Sequence, residues 1–289
     1  MSLSAANPQM STAFDIRWPD DGDGAPATPL VFASPHSGRL YPEDMNPALD
    51  SLCIRRSEDA RVDDLIDQAP VFGAPMICAL TARAYLDVNR DPCELDPRLF
   101  AGALPVEARA LSPRVAAGLG VVARVASGGA EIYDRRLSLE EGLARIARVH
   151  QPYHDALSRL LARARATHGL AVLIDWHSMP QSAAPGVDFV LGDRFGAACS
   201  PALTSAVELM LGEAGYRTAR NTPFAGGYTT EHYGRPDRRT HALQVEINRG
   251  LYLDETRLET TAGFPRLKAA LDGVIARLAQ TDWRLLLNP

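Results

Sequence analysis

The chain has 289 residues, 46% of them hydrophobic and 22% charged, with a formal net charge of −5. This excludes a disordered chain, which needs few apolar residues and high net charge, and the lack of any basic excess argues against nucleic acid as a partner. The four cysteines, Cys53, Cys78, Cys93 and Cys199, contain no CxxC pair, so a disulfide framework and a Cys-rich zinc ribbon are not expected and a reducing cytoplasm fits.

Residues 1–29 read as a polar lead-in, without the basic start and apolar run of a signal peptide. The acidic run Asp20-Asp21-Gly22-Asp23-Gly24 reads as a solvated turn, because it lacks the spacing of a calcium loop. No stretch approaches the ~18 apolar residues of a membrane span. From residue 30 to 289 a single domain is the simplest reading.

Leu30 to Ala33 predicts a short strand ending in Ser34-Pro35-His36-Ser37-Gly38. Ser57 to Gln68 predicts a helix capped by Ser57, with acids in its first turn and a Val62, Leu65, Ile66, Ala69 stripe. Pro75 to Leu80 and Ala84 to Val88 predict strands, and residues 92–118 an irregular excursion. Gly120 to Ala126 reads as one more strand. Ser138 to His168 predicts a long helix opened by a Ser138/Glu141 capping box, kinked near Gln151 by Pro152 and ended by Gly169. Leu170 to Ile174 is the clearest buried strand, and Asp188 to Leu191 a short one. Pro201 to Ala214 predicts a helix, Ala242 to Asn248 an alternating strand, and Glu255 to Ala279 a mostly helical stretch with an interruption at Pro265. Strands alternating with long helices predict an α/β sheet covered on both faces.

In such folds sites gather in the loops after the strand carboxyl ends. His36 and His177 each follow an apolar strand by a few residues, and each is followed by serine. Two neutral imidazoles suit zinc, and a catalytic zinc needs a third protein ligand and an open position. Glu58 and Asp59 are the candidates. Both can also be read as first-turn acids favoured by the helix dipole, and helical spacing does not choose between them. Gln244, Glu246 and Asn248 share one strand face. That face reads either as the solvent side of an edge strand or, at Glu246, as a carboxylate held rigidly for general-base work. Arg83 and Arg90 flank Ala84 to Val88, as ordinary salt-bridge partners or as a grip on a small anion. Thirty residues are basic and Lys268 is the only lysine, so the cations are arginines, which grip carboxylates at two points.

Gly118 to Ala123 fits GxGxxA but leads into a β-like run, so a dinucleotide site is not expected. There is no GxSxG elbow, HExxH or P-loop. Ser37 and Ser178 adjoin histidines, yet adjacency is no sign of a Ser-His pair.

Taken in order, several segments resemble the N-formylglutamate amidohydrolase family. They are Ser34-Pro35-His36-Ser37-Gly38, Ser57-Glu58-Asp59-Ala60-Arg61-Val62-Asp63, Arg83 to Arg90, Ile132 to Ser138, Pro152-Tyr153-His154, Asp175-Trp176-His177-Ser178-Met179, Gly226-Gly227-Tyr228-Thr229 and Gln244 to Asn248. The resemblance implies a zinc-carboxypeptidase-like three-layer α/β/α sandwich with a mixed, mostly parallel sheet. It implies hydrolysis of an N-formyl or similar N-acyl amino acid. It also implies one zinc per chain, or another divalent transition metal, on His36, Asp59 and His177. Glu58 stays as the alternative acidic ligand, because Glu58-Asp59-Ala60 stands where the family often has Thr-Asp-Trp. On this reading Glu246 is the general base, Arg83 assists the oxyanion, and Asp175 orients a zinc histidine. Asn89 and Arg90 clamp the substrate α-carboxylate, Arg135 meets a side-chain carboxylate, and Thr229 belongs to the substrate loop. The expected partner is a small anionic N-acyl amino acid, with homo-oligomerisation left open. The rival readings are a hydrolase of the same fold acting on another N-acyl amino acid or peptide, a non-catalytic binding protein, and a serine hydrolase.

Overall fold

The structure, a computed structural model, describes residues 13–19 and 26–287. The acidic run Asp20 to Gly24 lies outside the described residues. Strand β1 (Phe14–Arg17) belongs to the stretch read as a lead-in, and it pairs antiparallel with β3. β2 is Leu30–Ser34 and β3 is Met76–Ala79. The short β4 (Phe100–Ala101) and β5 (Leu137–Ser138) pair with each other. β6 (Ala171–Met179), β7 (Phe189–Gly192), β8 (Thr218–Arg220) and β9 (Thr240–Asn248) complete the main sheet. Among the described residues that sheet has seven strands in the order β1-β3-β2-β6-β9-β7-β8. It is mixed and mostly parallel. β2, β6 and β9 run parallel at its centre, and β1 against β3 and β7 against β9 are the antiparallel pairs.

Each face is covered, giving the α/β/α sandwich. On one face Phe32, Val172, Ile174, Trp176, Leu243, Val245 and Ile247 pack against α6 (Pro201–Glu213) and α8 (Gly263–Gln280). Trp176 stacks on Phe32 there, with ring centroids 6.1 Å apart. On the other face the amino-terminal halves of the strands are apolar, with Val31, Ala33, Leu173 and Ala242 under α5 (Gln151–His168). Their carboxyl-terminal halves are polar: Asp175 and His177 on β6, Gln244, Glu246 and Asn248 on β9, all buried. Alternation along a strand sends every second side chain to this face. The 244–246–248 row is therefore buried on a central strand, not the solvent side of an edge: Gln244 and Glu246 line a cavity, and Asn248 bonds Val187 O and Gly250 N–H.

Three predicted elements take other forms. Ser57 does not cap a helix; its Oγ accepts from the Ser127 N–H at 3.0 Å. The chain turns through residues 56–61, and Arg61 at φ 66° precedes the single helical turn α2 (Val62–Leu65). An earlier turn, α1 (Ser51–Arg55), is capped by Asp50. Ala84 to Val88 is buried but is a turn, with Asp87 N–H donating to Val121 O at 2.8 Å. Gly120 to Ala126 is likewise turn structure. Apolar runs record burial, and these segments are buried as covering loops. α3 (Pro113–Ala116) is a single turn within the irregular excursion. The helix expected from Glu255 starts at Gly263, so Pro265 falls in its first turn, where no intrahelical donor is lost.

The Ser138 capping box forms as expected and opens α4 (Leu139–Arg145). The expected kink before Pro152 is a π-helical turn, Ile146–His150. Gly142 on α4 has no room for a side chain: a Cβ there would sit 2.4 Å from Cε1 of the buried Phe100. Alanine gains about 1 kcal/mol of helix propensity, but overpacking a buried ring costs roughly 1–3 kcal/mol. Gly142→Ala is therefore expected to lower the melting temperature by a few degrees; a thermal melt that rises would contradict this packing.

Candidate metal and catalytic site

The parallel strands β2, β6 and β9 bring their carboxyl ends together, and a cavity of about 610 Å³ opens there. His36 follows β2 by two residues, and the Asp59 N–H donates to His36 O at 3.0 Å, which binds the 56–61 turn to that loop. His177 projects from β6 and Glu246 from β9, at paired register positions. Parallel neighbours in register place their side chains side by side.

His36 Nδ1, His177 Nδ1 and Asp59 Oδ2 converge. The two nitrogens are 3.1 Å apart, and Asp59 Oδ2 lies 3.0 Å from His177 Nδ1 and 3.3 Å from His36 Nδ1. A tetrahedral ion with bonds of about 2.0–2.1 Å separates its ligand atoms by roughly 3.3 Å. The triangle therefore fits one transition-metal ion, and the two-imidazole, one-carboxylate donor set suits zinc. All three residues are almost fully buried.

The outer ring nitrogens are fixed by acids. His36 Nε2 donates to Asp87 Oδ1 at 2.6 Å, and His177 Nε2 lies 3.1 Å from Asp175 Oδ2. A proton held there turns each Nδ1 lone pair toward the triangle, the arrangement found behind metal-bound histidines. Arg249 donates to the outer oxygen of Asp59 at 2.9 Å and to Ser178 Oγ at 3.0 Å. Burial opposes the charge on Asp59, yet its contacts with His177 and His36 and the nearby Arg83 hold its carboxyl well below the usual range. Burial likewise opposes a charge on His177, and Asp175 and Asp59 overcome it, holding the imidazole well above its ordinary value.

Glu58 takes the opposite direction. Its Oε1 accepts from Tyr41 OH at 2.7 Å and from Arg55 Nε at 3.2 Å, away from the triangle. Glu246 is bonded by Gln244, whose Nε2 donates to its Oε1 at 2.8 Å, while Gln244 Oε1 accepts from Gly227 N–H at 2.7 Å. Burial pushes the Glu246 carboxyl up to about 7, with Asp59 adding to the rise and His177, Arg83 and Arg249 opposing it.

Arg83 donates to Asp87 Oδ2 at 2.8 Å and lies 3.7 Å from Asp59 Oδ1, facing the cavity. Arg90 also lines the cavity, its Nε held by Leu119 O and its Nη1 by Asn89 O. Asn89 also lines the cavity. Its amide oxygen accepts from Thr229 N–H at 2.8 Å, while its nitrogen, 3.1 Å from the His177 Nε2 that Asp175 already engages, stays in the cavity wall. A Cβ on Gly227 would lie 2.5 Å from that amide, which is why the loop carries glycine there. Thr229 supports Asn89 through its backbone and is fully buried at the start of α7 (Tyr228–Tyr233). Arg135 is not brought to the cavity: it forms a two-point pair with Glu141 at 2.8 and 3.1 Å on the surface. Residue spacing gave no sign of Arg56, Arg114 and Arg249 in the cavity wall, nor of Asp87 behind His36. His150 and His154 hold the loop from behind, their Nε2 groups donating to Arg90 O at 2.9 Å and Val88 O at 2.7 Å.

The profile of the family described as N-formylglutamate amidohydrolase matches residues 28–253. An N-formylglutamate deformylase from Pseudomonas aeruginosa is 32% identical over 241 residues, covering 78% of this chain and 83% of the relative. One from Pseudomonas putida is 31% identical over 238 residues, covering 79% and 83%. Among solved structures, an N-formylglutamate amidohydrolase from Ralstonia eutropha JMP134 is 36% identical, with a TM-score of 0.87 over 93% of this chain and 98% of that one. The gene product Atu2144 from Agrobacterium tumefaciens shares the fold at 18% identity, with a TM-score of 0.62 over 93% of each chain.

Proposed function

The chain belongs to the N-formylglutamate amidohydrolase family, and from that premise we propose that it is a metal-dependent amidohydrolase releasing formate from N-formyl-L-glutamate or a close N-acyl analogue. The observation that carries this reading is the convergence of His36 Nδ1, His177 Nδ1 and Asp59 Oδ2 within 3.3 Å of one another in a cavity that also presents Glu246. The cavity lining holds five arginines, Arg56, Arg83, Arg90, Arg114 and Arg249, against three carboxylates, Asp59, Asp87 and Glu246. That excess suits an anionic substrate.

His36, Asp59 and His177 would hold one divalent ion, zinc being the best match to the donors. When bound, it supplies a Lewis acid that polarises the acyl carbonyl and makes water a stronger acid. Glu246 takes a proton from the attacking water as the carbon–oxygen bond forms. It returns that proton to the leaving nitrogen as the carbon–nitrogen bond breaks, giving formate and the free amine. Arg83 faces the developing oxyanion. Arg90 holds the substrate α-carboxylate, with its backbone partners fixing the guanidinium in place. Asn89, its amide oxygen held by the Thr229 N–H, presents its amide nitrogen in the cavity wall beside Arg90, where it can meet the same carboxylate.

The test is one sample measured twice. Protein carrying about one zinc per chain is expected to release formate from N-formyl-L-glutamate, to lose that activity with a chelator and to regain it with zinc. Metal-replete protein that releases no formate from any N-formyl amino acid would reject the reading.

A further inference from the structure

We propose that His150 and His154 are positioning residues of the reaction: by gripping the backbone from behind, they set the reach between the metal triangle and the Asn89–Arg90 clamp. This rests on the N-acyl amino acid reading above, in which that clamp meets the substrate α-carboxylate. The segment from Asp87 to Arg90 joins the two ends of the site. Asp87 Oδ1 accepts from His36 Nε2 at 2.6 Å and from Asn89 N–H at 2.8 Å, while Asn89 and Arg90 line the cavity.

Three successive carbonyls of that segment are held. Val88 O accepts from His154 Nε2 at 2.7 Å, Asn89 O from Arg90 Nη1 at 3.0 Å, and Arg90 O from His150 Nε2 at 2.9 Å. The two histidines stand behind the cavity wall rather than in it, and the helix is shaped to bring them there. Gln151 N–H donates to Ile146 O, five residues back, and Pro152 has no N–H for an α-helical bond. Such π-turns are rare and gather at functional sites. This one ends on His150, and His154 follows four residues later on the same face. The two ring centroids lie 4.2 Å apart.

The partners also fix the tautomers. A carbonyl only accepts, so each Nε2 carries a proton. Behind His154, Tyr233 OH lies 2.9 Å from Nδ1 and 3.1 Å from the backbone oxygen. Burial, with His150 adding to it, presses the His154 imidazole down to about 3, and burial lowers His150 as well. Both rings are therefore neutral near pH 7, and the grip does not switch. Tyr228 packs on the two rings at 5.7 and 5.3 Å, and the next residue, Thr229, donates its N–H to Asn89 Oδ1. The cluster thus ties α5, the clamp and α7 into one unit. Rigidity here matters because a misplacement of roughly 1 Å can cost about 10²-fold.

The experiment uses full-length, metal-loaded Glu246→Gln protein, whose slow turnover lets binding be measured by calorimetry. N-formyl-L-glutamate and N-formyl-4-aminobutanoate differ only in the α-carboxylate, so their affinity ratio reads the clamp. The parent is expected to prefer the glutamate by roughly 10-fold or more. His150→Phe and His154→Phe keep a ring without the donor. Each should cut the ratio to about threefold or less, with affinity for the aminobutanoate and metal content unchanged. His154→Gln, which returns a donor near the Nε2 position, should restore much of the ratio. A merely structural role would weaken both ligands alike. If the ring variants do not fold, Tyr233→Phe decides, since it removes one oxygen behind His154 and should cut the ratio about threefold. The proposal is overturned if the parent has no preference, if the folded variants keep it, or if both affinities fall together. A ratio that depends on the histidines in a protein that releases no formate would sink the reaction and leave the positioning standing.

Discussion

Replacing Glu246 by glutamine is expected to lower kcat for formate release about 10²- to 10⁴-fold, with metal content unchanged near one per chain. The substitution keeps volume, and the new amide oxygen can still accept from Gln244 Nε2, so the strand and its neighbours need not move. What is lost is a proton acceptor. Glu246 is suited to that task because burial lifts its carboxyl to about 7, which matches the base to neutral operation. A base works deprotonated, so kcat/KM should fall about tenfold per pH unit below its apparent pKa. A bound dication adjacent to it favours the carboxylate form and places that limb at or below pH 7. The variant should lose the limb along with the rate. Turnover within about threefold of the parent, or an unchanged acid limb, would remove Glu246 from the reaction.

The two strand-end histidines were legible because their signal is local: each sits a few residues after an apolar run; β2 forms where its run predicts, while β6 continues past Ile174 to Met179, so His177 stands on the strand itself. Glu246 was legible as one of two readings. Alternation set its face, but the strand's place at the centre of the sheet is a property of topology that no local pattern carries. Local pattern left the acidic ligand open for a related reason, and only the family resemblance chose Asp59, the acid that the structure brings to the two histidines. The stripe Val62, Leu65, Ile66, Ala69 is buried as predicted, yet it belongs to a turn, so helical geometry could not tell Glu58 from Asp59. Arg114 was invisible because it comes from the irregular excursion, whose path is fixed by long-range bonds such as Val121 N–H to Glu94 O. Arg135 misled for the opposite reason. Its sequence neighbourhood looks functional, but Glu141, six residues on, takes a donor from each of its two terminal nitrogens.

Asp59→Asn and His177→Ala are each expected to leave purified protein with little bound metal after dialysis and with formate release near background. Three protein ligands are the usual minimum for a catalytic zinc, and either change removes one. In Asp59→Asn the loss goes further, because Arg249 then faces a neutral amide where it now meets a carboxylate at 2.9 Å. Asp87→Asn and Asp175→Asn leave all three ligands in place. They should weaken metal binding by about 10- to 100-fold, since they loosen the rings that present Nδ1. The comparison that decides between the acids is Glu58→Gln. Glu58 is as buried as Asp59 and is bonded to Tyr41 and Arg55, so its substitution should lower the melting temperature. Metal content measured on the same sample should stay near one per chain. If Glu58→Gln instead empties the site while Asp59→Asn retains its metal, the ligand triangle is wrong. If both keep metal, the ion does not rest on this pair of acids at all. Of the two neighbouring acids, only the one that ligates the ion should change the metal content, whatever each does to the melting temperature.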